Sequence, residues 1–386
     1  MDIIASWEAR QVKYIWEREG WFDFKYDDAA LLKPLSQLRV LQGKLLGRIA
    51  SLDFKLETEA QGAILVEEAV RTAEIEGQKL NREAVRSSVA VRLGLPRGIG
   101  AHDINIDGLI DVLLDAVRFH DKALTLGRLN GWHAALFPTG YSGLRRIRAG
   151  RLRGHEPMQI VSGPIGKEKV HFEALPKSRL DDEMRLFLRW WDSSSGTMDG
   201  ILRAAATHLR FVTIHPYEDG NGRLARALTD MALAQDEKLK VRFYSVSAEI
   251  MRRRNEYYKI LENVQRRGVD ITEWFLWFIK CVTASIGDSR DIIAAVFMKV
   301  DFWNQHARDQ LNERQKKVID RMLEGGPGQF IGGLTTRKYV GMTKTSRATA
   351  FREIADMLHK RVLRNLPGKG RSVRYDLVWP VKKWRE

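Results

Sequence analysis

The stretch Gly200–Ile214, GILRAAATHLRFVTI, leaves this chain the fewest folding options. Its apolar residues recur three and four apart, at Leu202, Ala205, Ala206, Leu209 and Val212, which predicts a buried helix. Pro216 ends it, because proline lacks an N–H and disfavours helix in the residue before it. Gly220 and Gly222 allow a tight loop with positive φ. A second helix is expected from about Arg223 through Leu224, Leu228, Met231 and Leu233. The product is a helical hairpin whose connection reads His215-Pro216-Tyr217-Glu218-Asp219-Gly220-Asn221-Gly222-Arg223-Leu224-Ala225-Arg226.

A glycine loop feeding a helix N-terminus presents free N–H groups and the positive end of a helix dipole, a ready anion site. Asn221 adds a side-chain donor, and Arg223 and Arg226, three apart on the first turn, lean toward the same anion. Asp219 is an oxygen ligand suited to Mg²⁺, which takes one or two carboxylates plus substrate phosphates. His215, a neutral imidazole near pH 7, suits proton abstraction from an incoming hydroxyl.

The string resembles the signature of Fic-domain proteins, His-x-Phe-x-Asp/Glu-Gly-Asn-Gly-Arg-x-x-Arg. Tyr217 replaces the usual Phe, a mild aromatic change at a position that anchors the loop in the core. The resemblance implies a helical bundle and, as in most members, transfer of AMP from ATP to a hydroxyl side chain of a target protein. It implies His215 as general base, Asp219 as holder of Mg²⁺, Asn221 with the Gly220 and Gly222 backbone on the α-phosphate, and Arg223 and Arg226 on the β- and γ-phosphates.

Two further elements fit that resemblance. Residues 58–92 read as a helix pair or a bent helix, with Ala63, Ile64, Val66, Ala69, Val70, Ala73 and Ile75 on its apolar face. Within it Thr72 and Glu76 share a face, and Gly77 can end the helix. Thr72-Ala73-Glu74-Ile75-Glu76-Gly77 resembles the inhibitory motif of Fic proteins, which implies that Glu76 pairs with Arg226 and leaves ATP in a pose unfit for transfer. Residues 156–161 and 167–172 flank a Gly/Pro turn and predict a β-hairpin. It resembles the Fic flap, which docks a target segment as an added strand. Met158, Gln159, Ile160, Val161, Lys169, Val170, His171 and Phe172 are the candidate docking residues.

The remainder frames this centre. The aromatic-rich residues 1–57 are expected as packing anchors, 107–137 as an amphipathic helical region, and 176–195 and 223–290 as further helices, with Tyr257 and Tyr258 on a solvated face and self-modification or adenine contact as their alternatives. The single cysteine, Cys281, excludes an internal disulfide and is read as core; with no apolar membrane span and no signal-like N-terminus, a cytoplasmic setting is expected. The net charge of +15 is uneven: residues 311–386 hold 18 Lys and Arg against 7 Asp and Glu. That module reads as helix, short helix, turn, helix and basic hairpin, and resembles the winged helix-turn-helix appended to some Fic proteins. Duplex DNA is therefore a candidate partner, with Arg347, Arg352, Lys369 and Arg371 as candidate contacts.

The expected fold is mainly α: a Fic bundle with a hairpin flap (101–290), a helical extension carrying the inhibitory helix (1–100), a helical linker (291–310) and a winged helix (311–386). The leading expectation is an autoinhibited protein adenylyltransferase using ATP and Mg²⁺ on a protein hydroxyl, with self-modification and a homodimer as further possibilities. The alternatives are a nucleotide-responsive DNA-binding regulator, and removal of AMP or transfer of another phosphate-containing group.

Overall fold

The computed structural model describes residues 13–50, 54–95, 102–162, 169–323, 330–367 and 373–380. Among them are fourteen α-helices, a short 3₁₀ turn (Ile15–Glu17) and six strands paired as three antiparallel two-stranded sheets. The chain divides into two compact units, Met1–Ser51 with Ile64–Ser289, and Leu52–Ala63 with Arg290–Glu386. No helix among the described residues is long and apolar enough to cross a membrane.

The first unit is built around α7 (Gly200–Ile214) and α8 (Asn221–Glu237). Every α7 residue from Ile201 onward is buried, as is α8 almost throughout to Ala234. Asp199 caps α7 by accepting from the N–H groups of Ile201 and Leu202. Two of the polar residues inside α7 are well partnered: Arg203 donates to Ser194 Oγ and to Trp191 O, and His208 bonds Thr229 and Tyr257. Such pairing is what admits polar groups to a core.

Around this pair, in the first unit, stand α1 (Asp28–Ile49), α2 (Phe54–Ile75) from Ile64 onward, α3 (Arg82–Leu93), α4 (Ile104–Arg118), α5 (Leu126–Leu136), α6 (Lys177–Ser193), α9 (Val246–Arg252), α10 (Arg254–Arg267) and α11 (Thr272–Gln305) as far as Ser289. The region 58–92 is thus a helix pair, α2 closing at Ile75 just before Gly77. The region 107–137 is two helices. Tyr14 and Trp21 are buried, as expected of packing anchors. The sheets of this unit are β1 (Tyr141–Ser142) with β2 (Arg145–Arg146), and β3 (Gln159–Ser162) with β4 (Lys169–Glu173).

In the second unit α12 (Glu313–Leu323), α13 (Thr336–Thr343) and α14 (Arg347–His359) precede β5 (Leu363–Leu366) and β6 (Arg374–Leu377), and Leu334 bridges Tyr375. Their core gathers Phe302, Val318, Ile319, Tyr339, Ile354, Met357 and Val362. Glu353, facing that core, accepts from Tyr339 Oη at 2.6 Å and pairs with Arg314. Arg347 and Arg352 are exposed on α14; Lys369 and Arg371 lie outside the described residues.

Candidate active site

The loop from His215 to Gly220 joins the ends of two buried helices, so its backbone is fixed by both. His215 caps α7 in the left-handed region, φ +52°, with its N–H on Phe211 O at 3.0 Å. A non-glycine residue held there costs on the order of 1 kcal/mol or more, sustained here by the surrounding contacts. His215 Nδ1 lies 3.2 Å from Val212 O. A carbonyl only accepts, so Nδ1 carries the proton and Nε2 the lone pair. Burial pushes the imidazole down to about 4, assisted by the nearby Arg153 cation and opposed by the Val212 hydrogen bond.

Several side chains hold the loop. The Asn221 amide closes on Tyr217, accepting from its N–H at 2.9 Å and donating to its carbonyl at 2.8 Å. The Asn221 side chain, expected to reach a phosphate, also braces the loop, spending one of its two amide protons on Tyr217. The Tyr217 ring is fully buried, stacks on His133 at 4.2 Å and donates from Oη to Asn130 Oδ1 at 2.9 Å.

Residues unmarked in the sequence do as much. His133 donates from Nε2 to Asp219 O at 3.1 Å and accepts the Gly150 N–H on Nδ1 at 2.8 Å; burial pushes it down to about 4, so it is neutral. Buried Arg153 donates to His215 O at 2.8 Å and to Leu175 O, while its backbone N–H reaches Pro216 O at 3.0 Å. Ser142 donates to Asp219 Oδ2, and the Arg148 N–H to Glu218 Oε2 at 3.2 Å. The sequence signal available for these was slight: a lone buried-face histidine, and arginines in a loop.

At the start of α8 the balance is cationic. Gly220, φ +77°, is its N-cap, and no side chain caps the helix. Arg223 and Arg226 are both buried. Arg223 lies over the Phe137 ring at 4.7 Å, and burial lowers its pKa. Arg226 donates to Thr72 Oγ1 at 2.6 Å, Thr72 O at 3.0 Å and Glu76 Oε1 at 2.7 Å. Burial acts to lower the Arg226 pKa, but the Glu76 charge prevails and holds it above the ordinary value. Arg223 Nε and Arg226 Nη1 are buried without a hydrogen-bond partner among the described residues.

Glu76, 32% exposed, thus seats a carboxylate at a helix N-terminus beside two guanidinium groups. A Cβ on Gly222 would lie 2.2 Å from Glu76 Oε1, so glycine is what lets the carboxylate approach. Arg254 Nε, at 2.8 Å, and Tyr258 Oη, at 3.2 Å, both donate to Ile75 O and fasten the end of α2 next to Glu76. Tyr257 is not on a solvated face as expected: it is buried, its Oη 2.8 Å from His208 Nε2.

Asp219 Oδ1 also accepts the Gly220 N–H at 2.5 Å. Among the described residues no group of three or more His, Cys, Asp or Glu gathers to hold a metal. A single carboxylate fits Mg²⁺ that draws its other ligands from phosphate and water.

The hairpin expected at 156–172 forms as β3 and β4, with Ile160 opposite Phe172, Val161 opposite Val170, and an irregularity between Ile160 and Val161. Its strands are unequal. Phe172 is core, edge-on to Tyr14 at 5.2 Å, with Met158 and Ile160 packed against the same cluster. Arg266 takes the carbonyls of Val170 and His171, and His171 Nδ1 lies 2.8 Å from Glu262. The docking expectation is therefore corrected for Val170, His171 and Phe172, which fasten the hairpin to α10 and the core. Gln159 is exposed on β3; the side chains of Val161 and Lys169 lie outside the described residues.

Residues 123–233 match the Fic/DOC family, and residues 14–95 match a domain of unknown function, DUF4172. A protein adenylyltransferase Fic of Nematostella vectensis is 23% identical over 269 residues, 66% of this chain and 57% of that protein. A protein adenylyltransferase fic-1 of Caenorhabditis elegans is 32% identical over 88 residues, 22% of this chain and 15% of that protein. The chain spans less than two thirds of the length of either. Among solved structures, a Fic family protein from Desulfovibrio desulfuricans G20 superposes with a TM-score of 0.51 at 18% identity, covering 91% of this chain and 97% of that one. A Fic domain containing signaling protein from Bacteroides thetaiotaomicron VPI-5482 gives 0.52 at 15% identity, covering 66% and 96%. At these identities the structures establish the shared fold.

Proposed function

From the premise that the chain carries a Fic domain over residues 123–233, we propose that it is a protein adenylyltransferase held inactive by its own Glu76. The observation that carries this reading is the Glu76–Arg226 ion pair at 2.7 Å, at an uncapped helix N-terminus, beside buried guanidinium nitrogens without hydrogen-bond partners among the described residues. Such a terminus favours an anion, and the carboxylate of the chain itself takes that role.

In the reaction the target hydroxyl gives its proton to His215 Nε2 as its oxygen attacks the α-phosphorus of ATP. The bond to the β-phosphate breaks and pyrophosphate leaves. The backbone N–H groups at Asn221 and Gly222 hold the α-phosphate, and Arg223 and Arg226 the outer phosphates. Asp219 would hold Mg²⁺, which would supply further charge neutralisation. Positioning and fixed charge supply most of such catalysis, and the loop's many tethers keep both in place. Glu76 withdraws Arg226 from the nucleotide and sets a like charge against the phosphates. The target is proposed to add alongside β3, since β4 is fastened to α10.

The C-terminal unit is proposed as a winged helix that contacts duplex DNA through Arg347 and Arg352, on the strength of their exposure and the basic excess of residues 311–386. Binding that is insensitive to salt would overturn that part. For the enzyme, purified wild type, Glu76→Gly and Glu76→Gly/His215→Ala are incubated with labelled ATP, Mg²⁺ and cell extract. Label on protein is expected with Glu76→Gly, weak with wild type and absent with the double variant. Equal labelling by all three would sink the reading.

A further inference from the structure

We infer that the protein target reaches this site through an acidic segment, gripped by an arginine rim at residues 144–151. The inference rests on the adenylyltransferase reading above and names the chemistry of its acceptor.

Residues 140–155 contain five arginines and no acidic residue. Arg153 is buried as the clamp on His215 O. Arg145, Arg146, Arg148 and Arg151 are exposed, and among the described residues no carboxylate pairs with their side chains. Several arginines elsewhere on the first unit meet carboxylates: Arg71 pairs with Glu67 and Glu74, and Arg92 with Asp107 and Asp111. Four unpaired guanidinium groups on one short segment make a local positive field.

The segment is not a loose loop. β1 and β2 pair Tyr141 with Arg146 and Ser142 with Arg145, and Ile147 is buried. Its backbone and Ser142 are tied to the catalytic loop and its support at four points: Ser142 on Asp219, the Arg148 N–H on Glu218, the Gly150 N–H on His133, and the Arg153 N–H on Pro216. The arginines therefore project from a support fixed to the loop that carries His215. The chain then runs directly to β3, the strand left for a target to pair with.

Two apolar side chains rise from the same hairpin, Leu144 fully exposed and Tyr141 at 49%. Guanidinium groups match carboxylates bidentately, and a leucine and a tyrosine among them match apolar side chains between those carboxylates. That mixture fits an acidic peptide chain better than a uniform phosphate backbone.

The test is fluorescence anisotropy on the full chain, without ATP, using a fluorescein-labelled peptide alternating Glu and Tyr, a Lys–Tyr counterpart and a short DNA duplex. The Glu–Tyr peptide is expected to bind in a salt-sensitive manner and the Lys–Tyr peptide not to bind. Arg145→Glu/Arg148→Glu should weaken binding about tenfold or more, while Arg145→Lys/Arg148→Lys should keep most of it. A thermal melt of each variant reports folding, and the lysine pair serves if the glutamate pair does not fold. Equal binding of both peptides, no effect of charge reversal, or tighter capture of the duplex by the same arginines would overturn the proposal. Because no nucleotide is present, an absence of AMP transfer by Glu76→Gly strikes the enzymatic reading and leaves this result readable.

Discussion

The two ends of the α7–α8 pair carry the same kinds of charge in opposite balance. At the end marked by Asp199 and Asp236, two guanidinium groups face four carboxyl groups. Arg39 bonds Asp199 at 2.7 Å and also pairs with Asp236, while Arg242 meets Glu237 at 2.5 Å and Asp230 at 3.5 Å. Burial and the Glu68 charge raise the Asp230 carboxyl well above the usual range. At the His215 end, two buried guanidinium groups meet one inhibitory carboxylate, at a terminus whose backbone is already positive. At the first end each guanidinium group is held by carboxyl groups of the fold itself, and the cluster works as a fastening. The second is complete only when an anion is present, and that difference separates structure from function within one helix pair.

The largest expected effect tests the second end. His215→Ala should lower AMP transfer by about 10²- to 10⁴-fold, the range for losing a general base, with an unchanged melting temperature. Since burial has lowered His215 to about 4, the rate of Glu76→Gly protein should stay flat as pH falls through the ordinary histidine value of 6.5. An acid limb near that value would mean that another group takes the proton. Stability behaves differently. His133 and His215, both lowered to about 4, have folded-state values below the unfolded one, so their contribution is fully present above 6.5 and is lost as pH falls toward 4. A melting temperature independent of pH over that window would contradict their burial as neutral rings.

Next comes the fastening. Arg242→Met leaves Glu237 and Asp230 buried without their cation and should cost about 3–5 kcal/mol of stability, measured by denaturant unfolding. The ATP dissociation constant of the Glu76→Gly/Arg242→Met protein that remains folded should match that of Glu76→Gly alone. A change in it would break the contrast between the two ends.

Much of the second end was legible because its determinants are local. The run Leu202, Ala205, Ala206, Leu209 fixes a helix, Pro216 a stop, and Gly220 and Gly222 a loop that needs positive φ and close approach. Thr72 and Glu76 were legible only through resemblance, since a helix with a threonine and a glutamate four apart is commonplace. What was not legible is long-range. Nothing near His133 announces that it reaches Asp219 O, nor near Arg153 that it holds His215 O. The bracing role of Asn221 was not legible, because its amide closes on Tyr217, four residues back, and spacing does not announce that contact. Tyr257 was misread because a basic run beside it resembled a solvated face, whereas His208, on α7, claims its hydroxyl. The fastening end went unread altogether: Arg39, Asp199 and Asp236 come together only once three helices pack.

A mid-sized effect sharpens the contrast. Glu76→Gly removes the carboxylate paired with Arg226 and should tighten ATP binding by roughly 5- to 150-fold, the usual range of a coupling between sites, read by calorimetry. Removing Glu237 at the other end should instead destabilise the fold without tightening ATP.

The smallest expected effect bears on what keeps Glu76 in place. Tyr258 Oη and Arg254 Nε share Ile75 O, the carbonyl next to Glu76, and the Arg254 guanidinium lies 5.0 Å from the Tyr258 ring. Tyr258→Phe deletes one donor and keeps the ring, a loss of about 1 kcal/mol, so ATP should bind several-fold more tightly as α2 loosens at its end. In the Glu76→Gly background the same substitution should do nothing, because there is no carboxylate left to position. Non-additivity of that kind is the signature of one residue acting through another. Additive effects would mean that Tyr258 touches the nucleotide itself, and the control of Arg226 would then rest on Glu76 and Thr72 without help from α10.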